Sequence, residues 1–527
     1  MPDLKQLAER LDAFENELTQ VKQSLSSAEK ARDQYHQLYL ETLERCRKLE
    51  RGLLGQKSER TPHDEAQLSL GMLGLLLNKG AEPSEDSETT PVKPHNRQRP
   101  TGRKPLPETL PRVDIYVLPD DVQRRGLDAY TKIGEDVSEV LERRSAAMVV
   151  ARIIKPKFVL KDSGDATTVL QASTPRLPIE RGLAGPGMLA DTLVKRWDDH
   201  LPLNRLENIY ARDGIELNRS TICGWHTQLT PLFKPLIDAM RFDAFEQPYI
   251  CTDATGVLVQ AKEKCRTGHF WVIVAPGRHV LFEFSKKHDG DAVDKLLAGY
   301  EGYLVADAHV VYDHLYSDGT VKEVNCWAHV RRYYFKAYTP DKERATVGLA
   351  MINALFRIER TIANAPRKKK ERVRAAQSAP IVERFFSWCQ AEKDNTLDDT
   401  PIRDGIRYSL NQREGLHRFL SDGRLPLHNN SSELNLRRQA VGRKNWLFIG
   451  SDDGAEANAV FVSLLASCRM HKVEPWAYLR DLCCLLPTWP SHRLLELSPL
   501  KWAATSQSEE VRRTLALDPY RALTLSR

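Results

Sequence analysis

The feature that most constrains the fold is a β-rich stretch at residues 249–260, YICTDATGVLVQ, with an aspartate in its middle. Aspartate is a poor strand former and is rarely buried without a partner. The position of Asp253 between apolar and β-branched neighbours is explained if something outside the strand, such as a metal ion, requires the carboxylate there. The alternative is an edge strand or bulge that leaves Asp253 in water, and this stretch alone does not decide between them.

Short apolar segments follow this strand in an order that is typical of a ribonuclease H-like domain, β-β-β-α-β-α-β-α. The predicted strands are residues 249–260, 269–275, 279–284, 303–307 and 321–325, and the predicted helices are residues 291–297, residues 310–315 and one that opens with Cys326. The fourth strand ends in Asp307. An apolar strand that ends in aspartate is where α/β folds place chemistry, outside the carboxyl end of the strand.

A third carboxylate, Glu433, is predicted in the first turn of a helix that follows Asn429 and Asn430. The alternative is a capping box, in which Asn430 is the N-cap and Glu433 satisfies backbone donors. We favour a functional carboxylate because the predicted sheet already offers two aspartates. The main rival for the third carboxylate is Glu456, in a helix over residues 455–470 whose pattern indicates packing.

Two groups of polar residues are candidates for DNA contact. Residues 188–199, 203–212 and 218–229 are predicted helices, and the break at Gly214 between the last two makes a helix-turn-helix candidate with Asn218 as a possible N-cap. Helical hairpins without DNA are the alternative. The predicted DNA-binding residues are Arg219, Ser220 and Thr221 in that helix pair and Arg437, Arg438, Arg443 and Lys444 after Glu433. For the second group, pairing on the helix surface is the alternative to phosphate contact.

The N-terminal region has the pattern of a coiled coil. A seven-residue repeat is formed by Leu4, Leu11, Leu18 and Leu25, interleaved with Leu7, Phe14, Val21 and Ala28. This narrow apolar stripe favours self-association over packing on the same chain. A polar and basic segment over residues 78–104 predicts a flexible linker. Alternating apolar residues between 107 and 178 then predict a small sheet, without cysteine or histidine pairs at zinc spacing.

The predicted fold class is therefore multidomain α+β. The predicted parts are a coiled coil (1–56), a flexible basic linker (57–112), a small β-containing domain (113–178), a helix-turn-helix region (179–245), a ribonuclease H-like α/β core in two pieces (246–339 and 426–472) interrupted by a helical insertion (340–425), and a C-terminal helical region (473–527). Nine cysteines without a CxxC pair indicate reduced thiols. The longest apolar run, residues 68–77, is too short to cross a bilayer. We expect a cytoplasmic protein without a membrane segment.

The chain resembles the transposases of the insertion-sequence 66 family, which belong to the DDE superfamily. The residues that carry the resemblance are GQKSER (55–60), EAQLSL (65–70), IGEDVSE (133–139), GLAGPG (182–187), DHLPL (199–203), Asp253, Ala306-Asp307, CWAH (326–329), Asn429-Asn430, Glu433 and GRKNWLF (442–448). The resemblance implies a catalytic triad of Asp253, Asp307 and Glu433, with Cys326 and His329 as a C-x-x-H signature. It also implies an enzyme that cleaves the ends of a mobile element and joins the 3′ ends to target DNA.

Physical chemistry supports the same triad. Three carboxylates held close together repel one another, and their pKa values rise unless a cation neutralises them. Two Mg²⁺ ions, with Mn²⁺ as a substitute, suit such a site. In a two-metal arrangement one ion activates a water or a DNA 3′-hydroxyl, and the other stabilises the leaving oxygen. We assign Asp253 as the bridging ligand, and Asp307 and Glu433 as ligands of mainly one ion each.

The expected partners are double-stranded DNA at the element ends and target, further copies of the chain through the coiled coil, and accessory proteins of the same element. The expected location is the bacterial cytoplasm, on the nucleoid when bound to DNA.

Three departures from the family pattern qualify this prediction. The usual cysteine pairs are replaced by residues 122–130 and 159–169, which leaves zinc without those ligands. Ala254 stands where glutamate usually follows the first aspartate, and His428 stands where aspartate usually precedes the paired asparagines. The alternative functions are a decayed or repurposed transposase that only binds DNA and a nuclease that cleaves without joining.

Overall fold

The computed structural model describes residues 106–525 apart from 109, 145, 146, 161–168 and 263, together with Ser26. The predicted coiled coil (1–56), Ser26 apart, and the predicted linker up to residue 105 lie outside the described residues. The described residues form two compact units, a smaller one that includes residues 329–413 and a larger one that comprises residues 106–328 and 414–525. Both helix and sheet contribute, so the chain is of the mixed α+β type.

The first sheet of the larger unit confirms the strands predicted between residues 107 and 178. Its strands are β1 (Arg112–Tyr116), β2 (Tyr130–Arg144), β3 (Ala147–Leu160) and β4 (Val169–Gln171), and a short helix, α1 (Asp120–Arg125), follows β1. Strand β3 is central: β1 pairs with it in parallel, and β2 and β4 pair with it antiparallel. Leu106 and Leu110 are buried, so the packed region includes the last residues of the predicted linker.

Three helices follow the first sheet, α2 (Pro186–Trp197), α3 (Leu203–Arg212) and α4 (Arg219–Phe245). The expected end of the third helix at Leu229 is wrong, because α4 continues through Pro231 and Pro235. An internal proline removes one hydrogen bond and crowds the preceding turn. Residues after Pro231 bury their side chains, among them Phe233, Leu236 and Met240, and this burial offsets the local cost.

The second sheet contains the stretch around Asp253 and has the strand order β7-β6-β5-β8-β9. Its strands are β5 (Tyr249–Val259), β6 (Arg266–Ala275), β7 (His279–Ser285), β8 (Gly302–Ala306) and β9 (Val321–Asn325), with α5 (Gly290–Leu296) between β7 and β8. Strands β5 to β7 form an antiparallel meander, and β8 and β9 continue the sheet in parallel. The sequence predicted all five strands.

The helices that complete the larger unit are α12 (Asn430–Trp446), α13 (Asp452–His471), α14 (Pro475–Leu485), α15 (Pro499–Thr505), α16 (Glu509–Leu517) and α17 (Pro519–Leu525). Helix α13 covers the edge strand β7. The Ser463 and Ser467 hydroxyls accept hydrogen bonds from the backbone N–H groups of Phe282 (2.7 Å) and Val280 (3.0 Å). This contact confirms the packing role predicted for the helix and satisfies donors that an open sheet edge would expose.

The smaller unit is helical, as the sequence predicted for this part of the chain. Helix α6 (Trp327–Ala337) leads into it, followed by α7 (Lys342–Thr361), α8 (Arg367–Val373), α9 (Ala379–Glu392) and α10 (Pro401–Asn411). Helix α11 (Arg413–His417) comes next, and all of it but its first residue belongs to the larger unit. Tyr334 lies at its centre, with its hydroxyl 3.2 Å from Cys389 Sγ and 3.4 Å from Ser409 Oγ.

Candidate active site

Asp253 lies within β5, and Asp307 directly follows β8, the strand that pairs with β5 in parallel. Strands β5 and β8 pair through Cys251 and Val305, and continuing this register by two residues sets Asp253 opposite Asp307. Neighbouring strands are about 5 Å apart, and residues two positions apart share one face of a sheet. Both aspartates are half-buried. The sheet therefore brings together two carboxylates that are 54 positions apart in the chain.

Helix α12 lies along β5, held at both ends. At its start, Asn429 Nδ2 donates to the Thr252 carbonyl oxygen (2.7 Å). Beyond its end, Ile449 N donates to the Leu258 carbonyl (2.9 Å), and Gln260 N donates to the Ile449 carbonyl (2.8 Å). The 17-residue helix is about 25 Å long, and the seven residues of β5 from Thr252 to Leu258 span about 23 Å. The helix therefore matches this segment of β5 in length.

This alignment fixes the place of Glu433. The residue lies in the first turn of α12, and its backbone N–H donates to the Asn429 carbonyl (3.4 Å). Asn429 in turn contacts Thr252, the residue before Asp253. The structure therefore brings the helix start that carries Glu433 to the strand position that carries Asp253.

The capping-box alternative for Glu433 is wrong. The N-cap is Asn429, and Asn430 is the first helical residue, which places Glu433 one position too late for a capping box. The Asn429 side chain makes no capping hydrogen bond, because its amide is directed to β5 instead.

Two cysteines support the start of α12. The Cys326 thiol accepts a hydrogen bond from the Asn429 backbone N–H (3.1 Å). Burial raises the pKa of the Cys251 thiol to about 12, although a hydrogen bond with Ser431 opposes the shift. Both residues are fully buried, so these contacts are structural. His329, the other half of the C-x-x-H signature, lies in the first turn of α6, in the smaller unit.

A cluster of aromatic and histidine rings, which the sequence did not reveal, stands beside the aspartates. Trp271 stacks on His288 with ring centroids 4.7 Å apart, and His288 contacts His309 (4.8 Å) and His269 (5.0 Å). Burial raises the pKa of the Tyr312 phenol, and Asp307 and Asp253 both raise it further.

Both carboxylates are therefore near enough to the Tyr312 phenol to raise its pKa. The only sequence signal for this cluster was the set of histidines near the ends of β7 and β8, which no spacing rule connects.

The carboxylates are turned toward nearby backbone donors. Asp253 Oδ1 accepts from Ala254 N (2.7 Å), and Asp307 Oδ1 accepts from His309 N (3.3 Å). In this conformation, the part of the chain that the structure describes contains no set of three histidine, cysteine, aspartate or glutamate side chains placed to hold a metal ion. Rotation of these side chains would be needed before they could share one.

The basic residues after Glu433 divide into two groups. Arg438 forms an ion pair with Asp198 and is about 10% exposed, and Arg443 Nη1 donates to Thr255 Oγ1 (2.9 Å) and to the Gly256 carbonyl (2.6 Å). These two arginines hold α12 to α2 and β5. Arg437 and Lys444 are exposed. Of the four predicted phosphate contacts, only these two have side chains directed to solvent.

The two helices predicted on either side of Gly214 are present as α3 and α4. Asn218 is the N-cap of α4, but Glu207 in α3 accepts the hydrogen bond from the Arg219 backbone N–H. Arg219 and Ser220 are exposed, and Thr221 is half-buried. The far end of α4 is tied to the second sheet, since Asp243 pairs with Arg278 (2.7 Å) and His279 (2.9 Å).

The rival carboxylate, Glu456, is exposed near the start of α13. Asp452, one turn earlier, pairs with Arg266, which lies opposite Val259 on β5. Val259 is six residues beyond Asp253, about 20 Å along the strand. Helix α13 therefore starts at the other end of β5 from the two aspartates.

Comparison with known protein families identifies the chain that forms this mixed sheet as a transposase. The model described as "Transposase IS66 family" matches residues 181–457, which is more than half of the chain, and the chain belongs to this family. A second model, described as "Transposase C of IS166 homeodomain", matches residues 41–115. Membership of a transposase family implies a role in transposition and DNA as a partner.

Three relatives come from Sinorhizobium fredii (strain NBRC 101917 / NGR234), and all are uncharacterized proteins. The protein y4hP is 30% identical over 87% of this chain and 88% of its own length. The proteins y4qI and y4jD are 29% and 26% identical, over 86% and 76% of this chain and 87% and 82% of their own lengths. The similarity therefore extends over most of each protein. Among the described residues, no helix combines the length and apolar character needed to span a bilayer.

Proposed function

We propose that the chain is a DNA transposase whose catalytic residues are Asp253, Asp307 and Glu433. It would cleave the ends of an insertion sequence and join the freed 3′ ends to target DNA. The observation that carries the proposal is the alignment of α12 with β5, which brings the helix start bearing Glu433 to the strand position of Asp253, with Asp307 directly after the neighbouring strand β8. The strand order supports a ribonuclease H-like core of the DDE type.

The donor set suits Mg²⁺. Three half-buried carboxylates offer hard oxygen ligands. Asp253, Asp307 and Glu433 would hold the ions, with Asp253 contributing to both of them. When bound, the ions would supply an activated hydroxyl nucleophile and charge stabilisation at phosphorus.

The surrounding residues position the three carboxylates. Asn429 fixes the start of α12 on the Thr252 carbonyl, Cys326 supports the same turn, and Arg443 holds the middle of β5 against the end of α12. Trp271 and His288 pack beside the loop that follows Asp307. Catalytic groups must be held within fractions of an ångström of their working geometry, and this set of buried contacts restricts their movement.

DNA would be held at two places. Arg437 and Lys444 would contact phosphates near the cleavage site, where charge matters more than base identity. The exposed first turn of α4, with Arg219, Ser220 and Thr221, would read the element ends in the manner of a recognition helix. Asp243 ties the other end of α4 to the second sheet. The helix would therefore keep the bound element end at a fixed distance from the catalytic residues.

The test is Mg²⁺-dependent cleavage and strand transfer on DNA from either side of the gene. We expect the unmodified protein to cleave and join, Glu433→Gln to bind DNA without cleaving, and the control Glu456→Gln to remain active. Equal loss in both variants would refute the assignment of Glu433.

The reaction products separate the alternatives. Binding without cleavage by any of the proteins would favour a decayed or repurposed transposase that keeps only DNA recognition. Cleavage without joined products would indicate a nuclease.

A further inference from the structure

Helix α12 carries an outward stripe in which apolar and basic side chains alternate. At 3.6 residues per turn, Leu434, Arg437, Val441 and Lys444 fall in one narrow sector of the helix, and Phe448 follows just beyond its end. Leu434 is 62% exposed, Val441 48% and Phe448 42%. Two large apolar side chains exposed in one sector of the helix, with a third just beyond its end, mark an interaction surface.

The stripe is a distinct face of an otherwise well-packed helix. Leu436, Gln439, Gly442 and Trp446 on the opposite side are buried. Glu433 lies next to Leu434 and one turn before Arg437, so the stripe starts beside the proposed third carboxylate. A ligand bound along this face would therefore also lie next to the proposed catalytic residue Glu433.

We propose that the α12 stripe, formed by Leu434, Arg437, Val441, Lys444 and Phe448, binds unpaired nucleotides that flank the cleavage site. This inference rests on the proposed function. The two cations contact phosphates, and the apolar side chains contact the faces of bases that are no longer stacked in the duplex. From Leu434 to Lys444 the stripe is about 15 Å long, which matches about four nucleotides at the spacing of a duplex strand.

The charge of the stripe favours DNA over a second copy of the chain. In a symmetric pair the same face meets itself, and Arg437 and Lys444 would lie against their own counterparts. None of the five stripe residues is acidic, and the carboxylate beside them, Glu433, is the proposed metal ligand. A polyanion removes this repulsion.

The apolar residues favour unpaired over paired DNA. A duplex presents phosphates and groove edges to a helix face, whereas a separated strand also presents base faces. Only a separated strand therefore offers apolar surfaces that Leu434, Val441 and Phe448 can contact.

The experiment measures binding of the full-length protein to two probes by fluorescence anisotropy at fixed salt. One probe is a blunt duplex, and the other is the same duplex with a tail of unpaired thymidines. The unmodified protein should bind the tailed probe more tightly. The double variant Leu434→Ser, Val441→Ser keeps both cations and should weaken tailed-probe binding about tenfold or more, with blunt-probe binding unchanged.

Two further variants test the assignment of charge and apolar contact. The control Leu517→Ser, which changes a residue 74% exposed at the end of α16, should alter neither affinity. The pair Arg437→Gln, Lys444→Gln should weaken both probes and reduce the slope of log affinity against log salt by about 2.

Three results would overturn the inference: no preference for the tailed probe, an equal loss for both probes in the double serine variant, or a smaller assembly of that variant by light scattering. The last result would assign the stripe to a second copy. The binding assay does not require cleavage of either probe. The proposed function is tested by Mg²⁺-dependent cleavage, so the binding assay can refute the role of the stripe independently of that result.

Discussion

Replacing Asn429 with alanine tests whether the start of α12 is held by its contact with β5. Asn429 is fully buried, and its Nδ2 lies 2.7 Å from the Thr252 carbonyl oxygen. The substitution removes the donor and leaves a buried acceptor unsatisfied, which costs about 1–3 kcal/mol. Because about 1.4 kcal/mol is a factor of ten, local opening of the first turn of α12 should become about 5- to 150-fold more frequent.

Hydrogen exchange of the amides at residues 430–434, followed by mass spectrometry, measures this opening directly. The matched control is Asn435→Ala, which removes an amide contact with the Ser431 carbonyl (2.8 Å) inside the same helix and leaves β5 untouched. DNA cleavage should fall about 100-fold in Asn429→Ala, since a displacement of about 1 Å at a catalytic group has that effect. If the two variants exchange at the same rate and cleave equally, the contact with β5 does not position Glu433.

Two buried groups should give the larger unit opposite responses to pH. Burial raises the pKa of Glu142 to about 8, although its carboxylate accepts from Met188 N (2.8 Å), so its contribution to stability is complete below about pH 4.5 and is lost as the pH rises to 8. In thermal unfolding Glu142→Gln should remove this loss, which reaches about 5 kcal/mol, and a variant that follows the unmodified protein between pH 5 and 8 would contradict the reasoning. Burial also lowers the pKa of His226 to about 3, assisted by Arg196, so its contribution is present above about pH 6.5 and is lost as the pH falls. His226→Gln should therefore lose less stability than the unmodified protein between pH 6.5 and 4, and an equal loss would argue against a buried neutral imidazole.

The local pattern of the sequence was enough for most of the second sheet. Apolar runs of strand length around Asp253 and before Asp307 predicted β5 and β8, because alternation and chain reversal at Pro276-Gly277 are encoded by neighbouring residues. Family motifs added Glu433 to the candidate site, and the matched model confirms the family. The coiled coil, the metal ions and the DNA contacts stay predictions.

The length of α4 shows where local rules gave the wrong answer. Pro231 and Pro235 are strong signals to end a helix, yet the chain remains helical to Phe245. Burial of residues beyond the prolines depends on packing partners elsewhere in the chain, such as Phe461, whose ring lies 5.4 Å from that of Phe233. No window of sequence around the prolines contains that partner.

The sequence by itself determined most element types and the family, because these depend on residue type and spacing along the chain, and it predicted the three carboxylates. Only the tertiary structure decided which residues serve the site: Arg438 is held by Asp198, Asn429 by Thr252, and α12 presents its apolar and basic stripe to solvent. The pairs Arg438–Asp198 and Asn429–Thr252 are 240 and 177 positions apart. Contacts of this kind form when separate elements pack together. The local periodicity of a segment does not indicate which distant residues it will contact.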